Sequence, residues 1–139
     1  MSRLTTMWDP AQYLRFAGPR MRPALDLLAR VLVQSPAAIL DLGCGAGNVT
    51  ASLAARWPSG RLVGLDQSEP MLEGARRSVP EAEFVHADLT TWEPARRFDV
   101  IYSNAVLHWV GDHDVVIRRL LDWLTPGGVL AVQMPRNHA

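Results

Sequence analysis

Lysine is absent from this 139-residue chain: all 14 basic residues are arginines, and 14 Asp and Glu balance them to a formal charge of zero. Without an excess of either sign there is no general attraction to nucleic acid or to an anionic membrane, so neither is expected as a partner. The lack of lysine by itself reads as coding bias before it reads as chemistry. Cysteine is nearly absent too. Cys44 stands alone, so no internal disulfide can form, and a single thiol is compatible with a reducing compartment. No apolar run approaches the ~18 residues of a membrane-spanning helix, and no signal-peptide pattern is seen. The expectation is one soluble, cytoplasmic domain, long enough to bury a real core.

What the chain does have is a glycine cluster. Ala38-Ile39-Leu40-Asp41-Leu42-Gly43-Cys44-Gly45-Ala46-Gly47 is an apolar run, a carboxylate and three glycines at alternate positions, after which Asn48-Val49-Thr50 begins a helical pattern. This is a strand, a tight turn and a helix start, and glycines there let a ligand lie against bare backbone. A second carboxylate, Asp66, closes the run Leu62-Val63-Gly64-Leu65, at the spacing expected of an acid that holds ribose hydroxyls one strand further along. The pair points to a nucleoside-containing cofactor. Dinucleotide sites favour G-x-G-x-x-G, with the helix N-terminus aimed at a pyrophosphate. Here the third glycine comes one residue early, and Asp41 stands before the first. A fixed carboxylate repels phosphate but suits a ligand carrying ammonium and sulfonium cations, as S-adenosylmethionine does.

Elsewhere the chain alternates strand and helix patterns. Pro23 opens a helical repeat (Ala24, Leu25, Leu27, Leu28, Val31, Leu32) that Ser35-Pro36 breaks. Strands are expected at 37–41, 61–66, 83–87, 98–103 and 129–134. Helices are expected at 48–56, after the N-cap candidate Ser68 with Pro70 in the first turn, and over 112–124, where Thr125-Pro126-Gly127-Gly128 turns into the last strand. A short helix is placed around 10–17. Strands alternating with helices imply an α/β fold with a parallel sheet and right-handed crossovers. Asp41, Asp66, Asp88 and Asn104 each follow a strand's apolar run, where ligands of such sheets sit.

The D-x-G-x-G-x-G run at 41–47 looks like the first motif of the class I methyltransferases, and the whole chain resembles one branch of them, the trans-aconitate 2-methyltransferases. The matching segments are Trp8-Asp9-Pro10 through Tyr13-Leu14 and Phe16, Asp41 to Asn48, and Leu65 to Leu72. Ala87-Asp88-Leu89 with Trp92, Ser103 to Val110 and Pro126 to Pro135 continue the match. The resemblance implies a Rossmann-like sheet of five parallel strands in order 3-2-1-4-5, with the last two strands of the family fold and most of the substrate cap missing. It implies a lid at 1–22, carrying Trp8, Tyr13 and Phe16, and a cofactor domain at 23–139, truncated relative to the family. By the same resemblance Asp41, Gly43, Gly45 and Gly47 hold the methionine part of S-adenosylmethionine, and Asp66 takes the ribose hydroxyls with Gln67 and Met71 beside the adenosine. Asp88 accepts from the adenine amino group, Leu89 offers its backbone N–H, and Asn104 and Ala105 line the floor near the reacting methyl.

Methyl transfer from a sulfonium needs alignment and water exclusion, worth ~7–11 kcal/mol, and a carboxylate acceptor is already ionised, so no base–nucleophile pair is demanded. A small carboxylic-acid substrate calls for cationic clamps. Arg20 and Arg22 are the candidates, with solvated surface arginines as the alternative. His108 is a candidate general base or a half-buried packing residue. No metal is expected, since His108, Asp112, His113 and Asp114 match no ligand-spacing template. Two other readings stand beside the methyltransferase. One is a catalytically impaired adenosylmethionine-binding fragment or assembly module, forming a homo-oligomer through a strand five (Val129-Leu130-Ala131-Val132) that carries no charge, proline or bulge to protect its edge. The other is a nucleotide-dependent oxidoreductase, disfavoured by the glycine spacing and Asp41.

Overall fold

The computed structural model describes residues 22–104 and 113–133. The elements in chain order are α1 (Arg22–Arg30), β1 (Ala38–Leu42), α2 (Asn48–Arg56), β2 (Arg61–Asp66), α3 (Glu69–Ser78), β3 (Glu83–His86), β4 (Phe98–Asn104), α4 (His113–Asp122) and β5 (Leu124–Gln133). The strands form one parallel sheet in the order β3-β2-β1-β4-β5, as the resemblance implies. The expected elements within the described residues are present, with ends shifted by a few residues. Trp8, Tyr13, Phe16, Arg20, Ala105, His108, Trp109 and Asp112 lie outside the described residues.

Because β1 and β4 are central, both of their faces are covered, and their sequences are continuous apolar runs instead of alternating ones. Side chains alternate between two cores. Ile39, Leu62, Val100, Tyr102 and Ala131 face α1 and α2, whose Ala24, Leu28, Leu53 and Trp57 cover them. Leu40, Leu42, Val63, Leu65 and Ile101 face Val116 and Leu120 of α4, with Trp123 and Leu89. Trp123 meets Trp92 edge to face at 5.4 Å.

Two polar devices fix the helices to the sheet. The buried Tyr102 hydroxyl donates to the Ala24 carbonyl at 2.5 Å. Arg56, at the end of α2, donates to the carbonyls of Leu28 and Val31 past the end of α1 and lies 4.6 Å over the Trp57 ring, while the Trp57 indole N–H donates to Val33. Arg56 thus answers carbonyls at and just past the end of α1, and Trp57 one in the loop beyond it. At the opposite end of the sheet from the glycine loop, one carboxylate oxygen of Asp99 accepts from the N–H groups of Ala37 and Ala38 at 2.8 and 2.9 Å, and the other accepts from the Thr125 hydroxyl. Partial burial opposes the charge, but the bonds from Ala38, Thr125 and Ala37 hold the carboxyl below its ordinary value.

The sequence places a turn at residues 125–128 before the last strand. In the structure that turn is a bulge inside β5. Leu124 already pairs with Phe98, residues 125–128 loop out with Gly127 at φ 81°, and pairing resumes at Val129 opposite Val100. The turn residues are those expected, yet the ladder runs on both sides of them, so the expectation that strand five has no bulge is corrected: β5 carries one, with Pro126 in it, because pairing to β4 begins before the turn.

Candidate functional site

The residues singled out from the sequence gather along one rim, the carboxyl ends of β1 to β4. The glycine loop leaves β1 and folds over the end of β2, since the N–H groups of Gly43 and Cys44 both donate to the Leu65 carbonyl, at 2.8 and 3.0 Å. All three loop glycines have positive φ: 74° at Gly43, 57° at Gly45 and 93° at Gly47. Two of them matter for different reasons. A Cβ built on Gly45 meets nothing within 4 Å, so it would project into open space on the cleft side. A Cβ on Gly47 would stand 3.1 Å from the Ala75 Cα and 3.2 Å from its Cβ, against α3. Gly47 is also the N-cap of α2, with no side-chain cap, so the N–H groups of that first turn are free of a capping side chain.

Asp41 is 2% exposed. Its Oδ2 accepts from the Thr50 hydroxyl at 2.6 Å. Burial pushes this carboxyl up from 3.8 to about 7, the Thr50 bond pulls it back, and the charge of Asp66 adds to the rise. A carboxyl placed here is largely protonated below about pH 7, and an arriving cation or further donor favours its ionised form. Its neighbours respond to it. The Cys44 thiol is pushed far above its ordinary range by burial and then by Asp41 and Asp66, which makes it an unreactive packing group. The Tyr102 hydroxyl is pushed up by burial and by Asp41.

Asp66 is half-buried at the end of β2. Its Oδ2 accepts from the Gly45 N–H at 2.7 Å and its Oδ1 from the Ser68 N–H at 2.9 Å, so it ties the glycine loop to the turn that follows β2. A carboxylate oxygen keeps a second lone pair after one such bond, which leaves acceptor capacity on the open side. Ser68 caps α3 through the Met71 N–H at 3.4 Å, with Pro70 in the first turn, as its position in the sequence predicts. Met71 is 51% exposed, an apolar thioether left in solvent at this rim, and Gln67 is exposed beside it. Beyond β3, Asp88 Oδ1 accepts from the Thr90 hydroxyl and N–H at 2.7 and 2.8 Å, and these two bonds hold its carboxyl below the ordinary value. Leu89 is buried against the α4-side core. Asn104 ends β4, in register with Gln133 of β5.

Arg22 lies at the β5 side of the sheet, on a groove between α1 and the end of β5 that Arg30, Val132 and Gln133, the ladder partner of Asn104, also line. Its exposed side chain is 3.9 Å from Asp26. Two residues escape the sequence reading. Thr50, the hydroxyl that holds Asp41, sits nine positions later in the first turn of α2, and a polar side chain on the sheet-facing side of that turn is its only signal. His86 reads as an ordinary strand residue, yet its ring reaches the loop after β2.

A methyltransferase-domain family model matches residues 39–128. Among curated relatives, a trans-aconitate 2-methyltransferase of Azoarcus sp. (strain BH72) is 53% identical over 131 residues, covering 94% of this chain and 52% of that protein. Another, from Methylobacterium radiotolerans, is 54% identical over 132 residues, covering 95% and 51%. The chain thus spans about half the length of the curated relatives it matches. Among solved structures, a DhpI–SAM–HEP complex superposes with a TM-score of 0.72 at 25% identity, over 93% of this chain and 62% of that one. With the family model covering the sheet from β1 to the bulge of β5, this chain belongs to the methyltransferase domain family.

Proposed function

We propose that the chain is the cofactor half of an S-adenosylmethionine-dependent methyltransferase that esterifies a carboxylate of a small polycarboxylic acid such as trans-aconitate. The observation that carries this reading is the buried Asp41 beneath a positive-φ glycine loop that Asp66 holds in place. Two carboxylates close together favour a ligand with cationic groups and disfavour a pyrophosphate. The relatives named above supply the acceptor class, and the DhpI complex contains SAM.

In this reading the glycine loop and the uncapped start of α2 receive the amino-acid end of the cofactor, and Asp41 balances its positive charge. Asp66 accepts from the ribose hydroxyls, Gln67 and Met71 flank the adenosine, and Asp88 and Leu89 meet the adenine edge. Asn104 and Ala105 form the floor. Residues 1–22, with Trp8, Tyr13 and Phe16, serve as a lid over the domain formed by 23–139. When bound, the cofactor would supply a sulfonium-activated methyl group for transfer to an acceptor oxygen. The protein's share is to align the two reactants and exclude water. Arg20 and Arg22 are the candidate clamps for the acid.

The test is calorimetric titration of the folded chain with S-adenosylmethionine and with S-adenosylhomocysteine, followed by mass-spectrometric detection of a methyl ester from trans-aconitate. Saturable one-to-one binding and a mass gain of one methylene are expected; a folded chain that binds neither compound overturns the reading. A second reading, association of copies through β5, draws on the position of β5 at the sheet edge among the described residues, with Val129, Leu130 and Val132 only partly buried. Light scattering at high concentration is expected to give a mass above the monomer, and a monomer refutes it.

A further inference from the structure

We infer that His86 is a positioning residue that sets the orientation of the Asp66 carboxylate, and so the affinity for the adenosine part of the cofactor. The inference rests on the reading of Asp66 as the ribose-binding acid. His86 is the last residue of β3 and pairs across the ladder with Asp66. Its Nε2 lies 2.8 Å from the Gln67 carbonyl oxygen. A carbonyl can only accept, so Nε2 carries the proton, in the neutral Nε2–H tautomer or in the imidazolium. On the other side of the ring, Nδ1 is 3.6 Å from a carboxylate oxygen of Glu69, whose second oxygen accepts from Arg76 at 2.7 Å. The ring is therefore held by the backbone through Nε2, and Glu69 attracts its Nδ1 side only when both ring nitrogens carry protons, although the ring is half exposed.

The peptide group between Gln67 and Ser68 is gripped at both ends. Its carbonyl accepts from His86, and its N–H donates to Asp66 Oδ1. In a trans peptide these two groups point in opposite directions within one plane, and no cis bond occurs among the described residues. Turning the plane breaks both bonds together. While His86 holds the carbonyl, the N–H stays aimed at Asp66 Oδ1, and Oδ2 stays turned to the Gly45 N–H. His86 thus acts on the glycine loop and on the ribose site through Asp66, without a place in the cleft itself. A merely supporting surface contact would steady the loop but would not depend on the Asp66 carboxylate.

The experiment measures S-adenosylhomocysteine affinity of the full chain by calorimetry for His86→Leu, His86→Gln, Asp66→Asn and the double variant His86→Leu/Asp66→Asn. Ligand-free thermal unfolding establishes that each variant is folded. His86→Leu is expected to weaken binding roughly three- to tenfold, the range of one hydrogen bond. His86→Gln, whose amide nitrogen can occupy the place of Nε2, is expected to restore most of it. In the Asp66→Asn background His86→Leu is expected to cost little more, because the two residues act as one unit. Unchanged affinity in His86→Leu overturns the inference, as does a penalty that adds in full to that of Asp66→Asn. Absence of binding by the folded wild-type chain overturns instead the cofactor reading on which it stands.

Discussion

Asp41→Asn isolates the energetic consequence of burying an acid at this site. The carboxyl rises from 3.8 to about 7 on folding, burial being the largest cause. At about 1.36 kcal/mol for each unit of pKa, ionising Asp41 in the folded chain is disfavoured by about 4 kcal/mol. The sign follows from proton linkage. A group whose folded-state pKa is raised contributes stability that is complete below about pH 4 and is lost as the pH rises through 7. Between pH 5 and 8 the ligand-free wild type should therefore lose about 2–3 kcal/mol of unfolding free energy relative to Asp41→Asn. The asparagine keeps an acceptor for the Thr50 hydroxyl but never ionises, so other titrating groups cancel in the difference. The assay is urea unfolding of both proteins at half-unit pH steps. Stability curves that run parallel from pH 5 to 8 refute the reasoning, because they would mean that water or a rearranged Thr50 already compensates the charge.

Asp66→Ala should reduce S-adenosylmethionine affinity by about a hundredfold, the effect of losing two hydrogen bonds to a charged acceptor, while circular dichroism shows the fold retained; unchanged affinity in a titration refutes the assignment. Gly47→Ala should destabilise the chain by about 1–3 kcal/mol, since its φ of 93° and the 3.1 Å approach to Ala75 both oppose a side chain; an unfolding midpoint equal to wild type would refute this. Asp99→Ala should cost about 2–3 kcal/mol by leaving the N–H groups of Ala37 and Ala38 without their acceptor, yet leave cofactor affinity unchanged because it lies at the far end of the sheet; calorimetry and chemical denaturation separate the two effects.

Much of this fold is legible in the sequence because the features that carry it are local. The runs at 38–42, 61–66 and 98–104 have short apolar centres containing β-branched residues and bounded by polar and turn residues, as buried strands do, and Ser68-Glu69-Pro70 states a helix start in three residues. The strand order is different: periodicity does not encode it, and it came from the resemblance. What stays hidden are contacts between residues distant in sequence. Thr50 and Asp41 are nine residues apart, His86 and Gln67 nineteen, and Asp99 and Ala38 sixty-one. Each is an ordinary polar residue until the sheet brings its partner alongside. The bulge at 125–128 was hidden for another reason, since turn residues announce a turn but not whether a strand resumes its pairing on both sides of it.

The hydrogen bonds that hold the two acids of the site come from neutral donors: the Thr50 hydroxyl for Asp41, and the N–H groups of Gly45 and Ser68 for Asp66. The charge of Asp66 adds to the cost of ionising Asp41. Where Asp41 is ionised, the site carries a negative charge that these contacts solvate but do not cancel. A dinucleotide would add two phosphate charges to that field, whereas S-adenosylmethionine brings an ammonium and a sulfonium into it. One consequence is proton release. A cation beside Asp41 favours its ionised form, so binding below about pH 7 should expel up to one proton and tighten up to about tenfold with each unit of rising pH. A second is discrimination. S-adenosylhomocysteine lacks the sulfonium charge, so wherever that charge contributes, the methyl donor is held more firmly than the spent product, and added salt narrows the gap. Electrostatics then favours exchange of product for donor.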